Sequence, residues 1–221
     1  MTKIRKVAYL TVSVLLAVAL LSVSIAITQA YCERWKAQQF LTVLRQIRIG
    51  STDKASVIRM TDRFRSDRQE YEGENKTELG FLFYNGWATQ LKLATPVEFR
   101  AALTIKDGVV IEKWAREASW AFGSVGAVRE FSREIRYHNK TDLKQYPNHV
   151  VHWEQHPPQF APDKFRRIHV EDDDTCPELQ REKDWNFNLS CMTRLGRGCG
   201  DAREMLPNVA YEQPASQSVD Q

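Results

Sequence analysis

The sequence predicts an α+β protein carried on a membrane anchor. The expected order is an N-terminal transmembrane helix and helical stem, a second helix, and a mainly antiparallel β-sheet meander with a cysteine-containing C-terminal segment. Three observations predict it. Residues 7–28, VAYLTVSVLLAVALLSVSIAIT, run for 22 positions without a charge. Apolar residues then recur at helical spacing as far as Phe64. From Leu79 the apolar period changes to two, broken by Asn-Gly and Asp-Gly pairs.

The uncharged run comes first. As a helix at about 1.5 Å per residue it reaches roughly 33 Å, enough for a hydrocarbon core of about 30 Å. A cleaved signal peptide carries an apolar stretch of only about 7–15 residues, so a retained anchor is the expectation. Thr28-Gln29-Ala30 is an imperfect cleavage signal, and Gln29-Ala30-Tyr31-Cys32 lacks the apolar residue expected ahead of a lipidated cysteine. Lys3, Arg5 and Lys6 precede the run without an acidic partner, whereas Glu33, Arg34 and Lys36 follow it with mixed sign. Basic excess marks the cytoplasmic side. Residues 1–6 are therefore expected in the cytoplasm, residues 7–28 in the membrane, and the remainder outside the cytoplasm (periplasmic in a bacterium).

Past the anchor, Phe40, Val43, Leu44 and Ile47 give a helical stem from Tyr31 to Ile49 that Gly50 is placed to end. Ser51-Thr52-Asp53 offers capping oxygens for a second helix through Phe64, with Val57, Ile58, Thr61 and Phe64 on one face. Stem and second helix together occupy residues 31–66. The polar stretch from Ser66 to Glu78 reads as a loop.

The sheet is expected over residues 79–175. Leu79, Phe81 and Phe83 alternate up to Asn85-Gly86, a dipeptide suited to a type I′ hairpin, with Trp87, Leu91 and Leu93 continuing beyond it. Phe99, Ala101, Leu103 and Ile105 alternate up to Asp107-Gly108, a second hairpin signal, followed by Val109-Val110-Ile111. Further strands are expected at Ala115–Phe122 and Val125–Tyr137 around Gly123-Ser124, and at His149–Gln155 and Phe165–Glu171. The prolines at 157, 158 and 162 interrupt pairing between the last two. A Cys-clasped segment occupies 176–207, with a short helix at Pro177–Lys183, and a disordered tail 208–221.

Composition narrows the function. Once the three N-terminal cations are set aside, 28 basic residues face 28 acidic ones, so the outer part is neutral. Nucleic-acid binders carry a basic surplus, and that class is excluded. The cysteines are Cys32, Cys176, Cys191 and Cys199. An even count in an exported chain points to disulfides. Cys191–Cys199 is the favoured pair, with Cys32 and Cys176 paired or free, and Cys32 also placed to join a second copy. No CxxC occurs, which removes redox-motif and zinc-ribbon readings.

The metal candidates are His152, Glu154 and His156, which share one face of a strand at i, i+2 and i+4. Two imidazoles and a carboxylate suit zinc, but strand neighbours two apart stand nearly 7 Å from each other, so a solvated face is the plainer account. Glu171-Asp172-Asp173-Asp174 lacks the spacing and the glycine of an EF-hand loop. Gly196-Arg197-Gly198-Cys199-Gly200 lacks the Lys-Ser/Thr of a phosphate loop and reads as a disulfide-clasped turn, with Arg194 and Arg197 near it. Neither Gly-x-Ser-x-Gly nor His-Glu-x-x-His is present, and no cofactor is expected. The tryptophans at 35, 87, 114, 120, 153 and 185 read as core and membrane-interface residues. Asn75, Asn139 and Asn188 open N-x-Ser/Thr sequons.

Two resemblances follow from these residues. Ile49-Gly50-Ser51-Thr52, then Val57, then the meander from Phe81 to Ile111, resembles the small outer-membrane-assembly lipoprotein module of bacterial envelopes. That implies two helices, a tight turn and a short antiparallel sheet over residues 49–111. The chain departs from it in lacking the lipid-bearing cysteine and in having Ser51 where methionine is usual. Asn188-Leu189-Ser190-Cys191-Met192-Thr193, with Cys199-Gly200-Asp201-Ala202 and Leu206-Pro207 and the leading anchor, is similar to bacterial single-pass membrane proteins to which no function is assigned. The resemblance implies a bacterial source and brings no catalytic residues.

The expected function is a membrane-anchored extracytoplasmic envelope protein, acting as a non-catalytic binding or scaffold module. Its expected partners are the membrane through residues 7–28 and another envelope protein. Two alternatives are carried: an anchored hydrolase or metal-dependent enzyme using His152, Glu154 and His156, and a eukaryotic type II membrane glycoprotein.

Overall fold

The computed structural model describes residues 3–119, 125–132, 149–155, 165–172, 185–196 and 198–208. The fold is α+β. Helix α1 runs unbroken from Lys3 to Gln46, so the anchor run and the stem are one rod. Its first half exposes apolar side chains on every side, among them Val7, Leu10, Val12, Leu15, Leu16 and Leu21. The hydroxyls of Thr11, Ser22, Ser24 and Thr28 each donate to the carbonyl four residues back. Such bonds satisfy a hydroxyl within the helix itself. Burial begins at Ser22 and Val23 and is complete at Ala26.

Beyond the run, α1 turns amphipathic. Ala37, Phe40, Leu41, Val43, Leu44 and Ile47 are buried in the core. Phe40 packs edge-on to Phe64 at 5.2 Å between ring centroids and lies 4.2 Å from Phe81 and 5.6 Å from Phe83. The helix stops at Gln46, before the expected Ile49, and Gly50 at φ 75° turns the chain while its N–H donates to Val110 O at 2.7 Å. That left-handed conformation suits glycine. Helix α2 (Lys54–Thr61) is capped by the Asp53 carboxylate, which accepts the Ser56 N–H at 2.7 Å. A 3₁₀ segment, Asp62–Asp67, carries the chain on with Phe64 buried, and Lys36 ties α1 to it through Asp67.

The strands are β1 (Arg68–Glu72), β2 (Lys76–Tyr84), β3 (Val97–Lys106), β4 (Val109–Ser119), β5 (Val125–Ser132), β6 (His149–Gln155) and β7 (Phe165–Asp172). They form one sheet in the order β1-β2-β3-β4-β5-β7-β6. Pairing is antiparallel except between β5 and β7, which run parallel. The meander therefore ends at β5, and β7 lies between β5 and β6.

Three expectations are corrected, and one irregularity is added. The polar stretch from Ser66 to Glu78 is not a loop: β1 and the start of β2 form an edge hairpin there, so the sheet begins at Arg68 rather than Leu79. An edge strand exposed on both faces loses the apolar alternation that marks a half-buried one. Asn85-Gly86 is not a hairpin turn. It opens a short helix, α3 (Gly86–Gln90), which carries Trp87, and the chain crosses through Leu91 and Leu93 before β3. Asn85 is buried, its Oδ1 accepting the Val97 N–H at 2.9 Å and its Nδ2 donating to Thr95 O at 3.0 Å. The side chain thus replaces the ladder bonds that a two-residue turn would have closed. Ala115 starts no new strand and continues β4. Finally, β4 carries a bulge: Thr104 faces Glu112 but Ile105 faces Val110, leaving Ile111 as the extra residue. The Asp107-Gly108 turn does form, with φ of 51° and 78°. Pro177–Lys183 and the tail beyond Asn208 lie outside the described residues.

One face of the sheet carries Val97, Phe99, Ala101, Leu103 and Ile105 against α1, and the C-terminal segment packs on the same core through Trp185, Phe187, Leu189, Met192, Met205 and Leu206.

Candidate functional site

The bulge at Ile111 decides what faces α1. An extra residue reverses the strand's alternation. Val110 and then Lys113, Ala115, Glu117 and Ser119 consequently stand opposite the core residues of β3, with Lys113 across from Leu103 and Glu117 across from Phe99. Two ionisable groups are thereby placed between helix and sheet.

Lys113 is satisfied there. Its Nζ donates to Leu44 O at 2.8 Å and Ile47 O at 2.9 Å, and stands 5.1 Å from the Trp185 ring centroid. The last carbonyls of a helix lack intrahelical partners and carry the negative end of its dipole, so a buried ammonium suits this place. Glu117 is not satisfied. It is fully buried, and among the described residues neither carboxyl oxygen has a hydrogen-bond partner. Burial pushes its pKa well above the usual glutamate value of 4.5, while the cations Arg34 and Arg194 act in the opposite direction. The hydroxyls of Ser119 and Ser190 and the Gln29 Oε1 are also buried without a partner among the described residues. Arg34 donates to Thr193 Oγ1 at 3.1 Å, and Arg194 pairs with Glu204. The arrangement disfavours the charged form of a buried acid, and among the described residues no nucleophile is hydrogen-bonded to it.

The second constellation lies where the anchor run meets the domain. Gln29 Nε2 donates to Tyr84 O at 3.0 Å, and Ala30 packs with Ala88 and Ala94. Cys191 and Cys199 are bridged, closing a loop that holds Leu195 and Gly196. Gly196 accepts the Thr95 N–H at 2.8 Å and donates to Leu93 O at 2.7 Å, so this loop is stitched to the α3–β3 connection. Gly198, at φ 65°, seats against Ser119 and Val97, where a Cβ would lie 2.7 Å from the Ser119 hydroxyl. Cys32 is an exposed free thiol, and Cys176 lies outside the described residues.

The expected metal ligands divide. His152 and Glu154 lie two apart on β6, opposite His169 and Arg167 of β7. His156 is outside the described residues, as are Asp173, Asp174 and Arg197. Among the described residues no group of three or more His, Cys, Asp or Glu comes together. A shallow polar groove of about 310 Å³ lies at the opposite end of the sheet, between Lys54, the β1–β2 turn and Asp107-Gly108. Of the sequons, Asn75 is exposed in that turn, Asn139 is outside the described residues, and Asn188 is engaged internally: it donates to Glu204 O at 2.9 Å and accepts the Ser190 N–H. Trp185 is buried, whereas Trp35 and Trp87 are exposed.

Sequence reasoning missed Lys113 and Glu117, the ionisable pair between helix and sheet. The usable signal was the ionisable pair inside a strand whose neighbours, Ala115 and Ala118, are small and apolar.

No protein-family model matches the chain, and no curated protein or solved structure matches it. The class that fold and site define is an α+β domain built directly on a helix long and apolar enough to cross a membrane.

Proposed function

We propose that the chain is a membrane-anchored extracytoplasmic protein of the cell envelope, N-terminus inside and domain outside, working as a non-catalytic binding or scaffold module. One observation carries this reading: a single helix is apolar and exposed all round over its first half and is the central core element over its second. The first half is stable only in lipid, since exposed leucines and valines on every face cost roughly 25 cal/mol per Å² in water. The second half cannot be detached without opening the core. Cleavage after Ala30 would remove Ala26, Gln29 and Ala30 from their contacts with the domain, which supports a retained anchor over a cleaved leader. The basic cluster ahead of the run supports the orientation. The scaffold reading is supported by Lys113, whose buried ammonium is held by the end of α1 and so serves the fold.

Cys32 tests the topology. It is exposed and lies four residues past the run. In a Cys176→Ser variant, a membrane-impermeant maleimide added to intact cells is expected to label it, and alkaline carbonate to leave the protein in the membrane pellet. Labelling only after permeabilisation would reverse the orientation. Release by carbonate would remove the anchor.

A further inference from the structure

We infer that helix α3 and the disulfide-closed loop form a platform seated in the outer leaflet of the same bilayer that α1 crosses. The proposal rests on the membrane-anchor reading and adds a second point of lipid contact to it.

The height of the platform comes from α1 itself. The face of α1 through Ser22, Val23, Ala26 and Ala30 is covered, fully at Ala26. Ser22 lies six residues inside the end of the uncharged run, about 9 Å at ~1.5 Å per residue. The domain therefore flanks the last turns of the apolar segment and does not begin beyond it. Helix α3 packs on this stretch, held by the Ala30–Ala88–Ala94 contacts and by the Gln29–Tyr84 bond. Small residues on both sides permit the close approach.

The platform's surface is what a bilayer boundary selects. Trp87 is 52% exposed, Leu91 42% and Leu195 58%, on a domain whose other large apolar side chains are mostly buried. Tyr31, 56% exposed, stands at the same level on the open side of α1. Aromatic rings concentrate at the membrane interface, where an apolar body meets a polar edge. Lys92 is exposed beside Leu91, suited to phosphate headgroups. Leu195 is not a stray side chain. The Cys191–Cys199 bridge and the paired bonds between Gly196 and Leu93–Thr95 fix its loop next to α3. The occupant is the lipid rather than a protein because the patch is continuous with the apolar run and lies at the depth of its end.

The test uses the full chain in phosphatidylcholine vesicles, in a Cys32→Ser, Cys176→Ser background that leaves the bridge intact. A nitroxide is attached in turn through Trp87→Cys, Leu91→Cys, Leu15→Cys in the run, or Asp107→Cys at the far end of the sheet. Labels at 87 and 91 are expected to meet oxygen severalfold more readily, relative to a water-soluble nickel chelate, than the label at 107. If position 15 is lipid-exposed but 87 and 91 match 107, the platform is overturned and the anchor stands. If 15 also matches 107, both fall. Labels at 87 and 91 shielded from both quenchers would assign the patch to a second copy or another protein, and would equally overturn the lipid assignment. A check without an introduced cysteine guards against misfolded variants: brominated lipid should quench the native tryptophan emission, and Trp87→Phe should remove a clear share of that quenching. An unchanged share would overturn the proposal.

Discussion

Replacing Lys113 with methionine should weaken the whole domain rather than one corner of it. Methionine keeps the length and the apolar contact with Trp185 but removes the two donors held by Leu44 O at 2.8 Å and Ile47 O at 2.9 Å. Hydrogen bonds to charged groups contribute about 1.5–3 kcal/mol each, and a cation at a partly buried helix C-terminus adds up to ~2 kcal/mol. Against this, methionine regains the desolvation cost of a buried ammonium, several kcal/mol. The balance is a loss of about 2–4 kcal/mol, or roughly 5–15 °C in melting temperature for a chain of this size. Thermal unfolding of the full chain in detergent micelles, followed by near-UV circular dichroism, measures it. The loss should appear as one cooperative shift, because α1 and the sheet share the core. A change below about 1 kcal/mol would refute the reasoning, since the helix end would then be served by water rather than by Lys113.

Glu117→Gln should abolish a pH dependence. The buried carboxyl has a raised pKa, so the folded state holds its proton more tightly than the unfolded state. Wild-type stability is then full below about pH 4.5 and falls as pH rises through the folded-state value. The variant should match the wild type in acid and exceed it at neutral and higher pH; parallel pH–stability curves would show that Glu117 has the same pKa folded and unfolded, and would refute the raised value. Cys191→Ser with Cys199→Ser opens a loop of eight-residue separation, for which chain entropy gives a loss of about 2.5 kcal/mol in denaturant unfolding. Equal midpoints with and without reductant would show that the bridge is dispensable. Phe40→Ala removes a fully buried ring that contacts Phe64, Phe81 and Phe83, at a cost of about 3–5 kcal/mol. Loss of less than about 1 kcal/mol would mean that the stem is peripheral to the domain.

Much of the architecture was legible because its signals are local. An uncharged run of 22 residues marks a helix long and apolar enough to cross a membrane, Asp107-Gly108 demands left-handed backbone at both positions, and β6 and β7 lie close to the limits read from their apolar residues. What escaped depends on distant partners. The residues of β1 become a strand only because β2 offers them an edge. Asn85-Gly86 carries the same letters as a hairpin turn, yet the Asn85 amide finds Thr95 and Val97 instead. The bulge at Ile111 leaves no compositional mark, although it alone decides that Lys113 and Glu117 face the helix. For the same reason neither residue stood out, whereas the His152–Glu154 pair did and lies on the edge strand.

The unbroken passage of α1 from its exposed apolar half into the core also sets an order of events at birth. The stripe Phe40, Leu44 and Ile47 is made early, but part of its cover is made late: Arg45 reaches its carbonyl partner on Trp185 across a separation of 140 residues. At about 5–20 residues per second the stripe waits roughly 7–30 s for that cover. A newly made chain therefore displays an apolar helix stripe before the domain can close over it. During that interval the stripe is open to any factor that shields apolar segments.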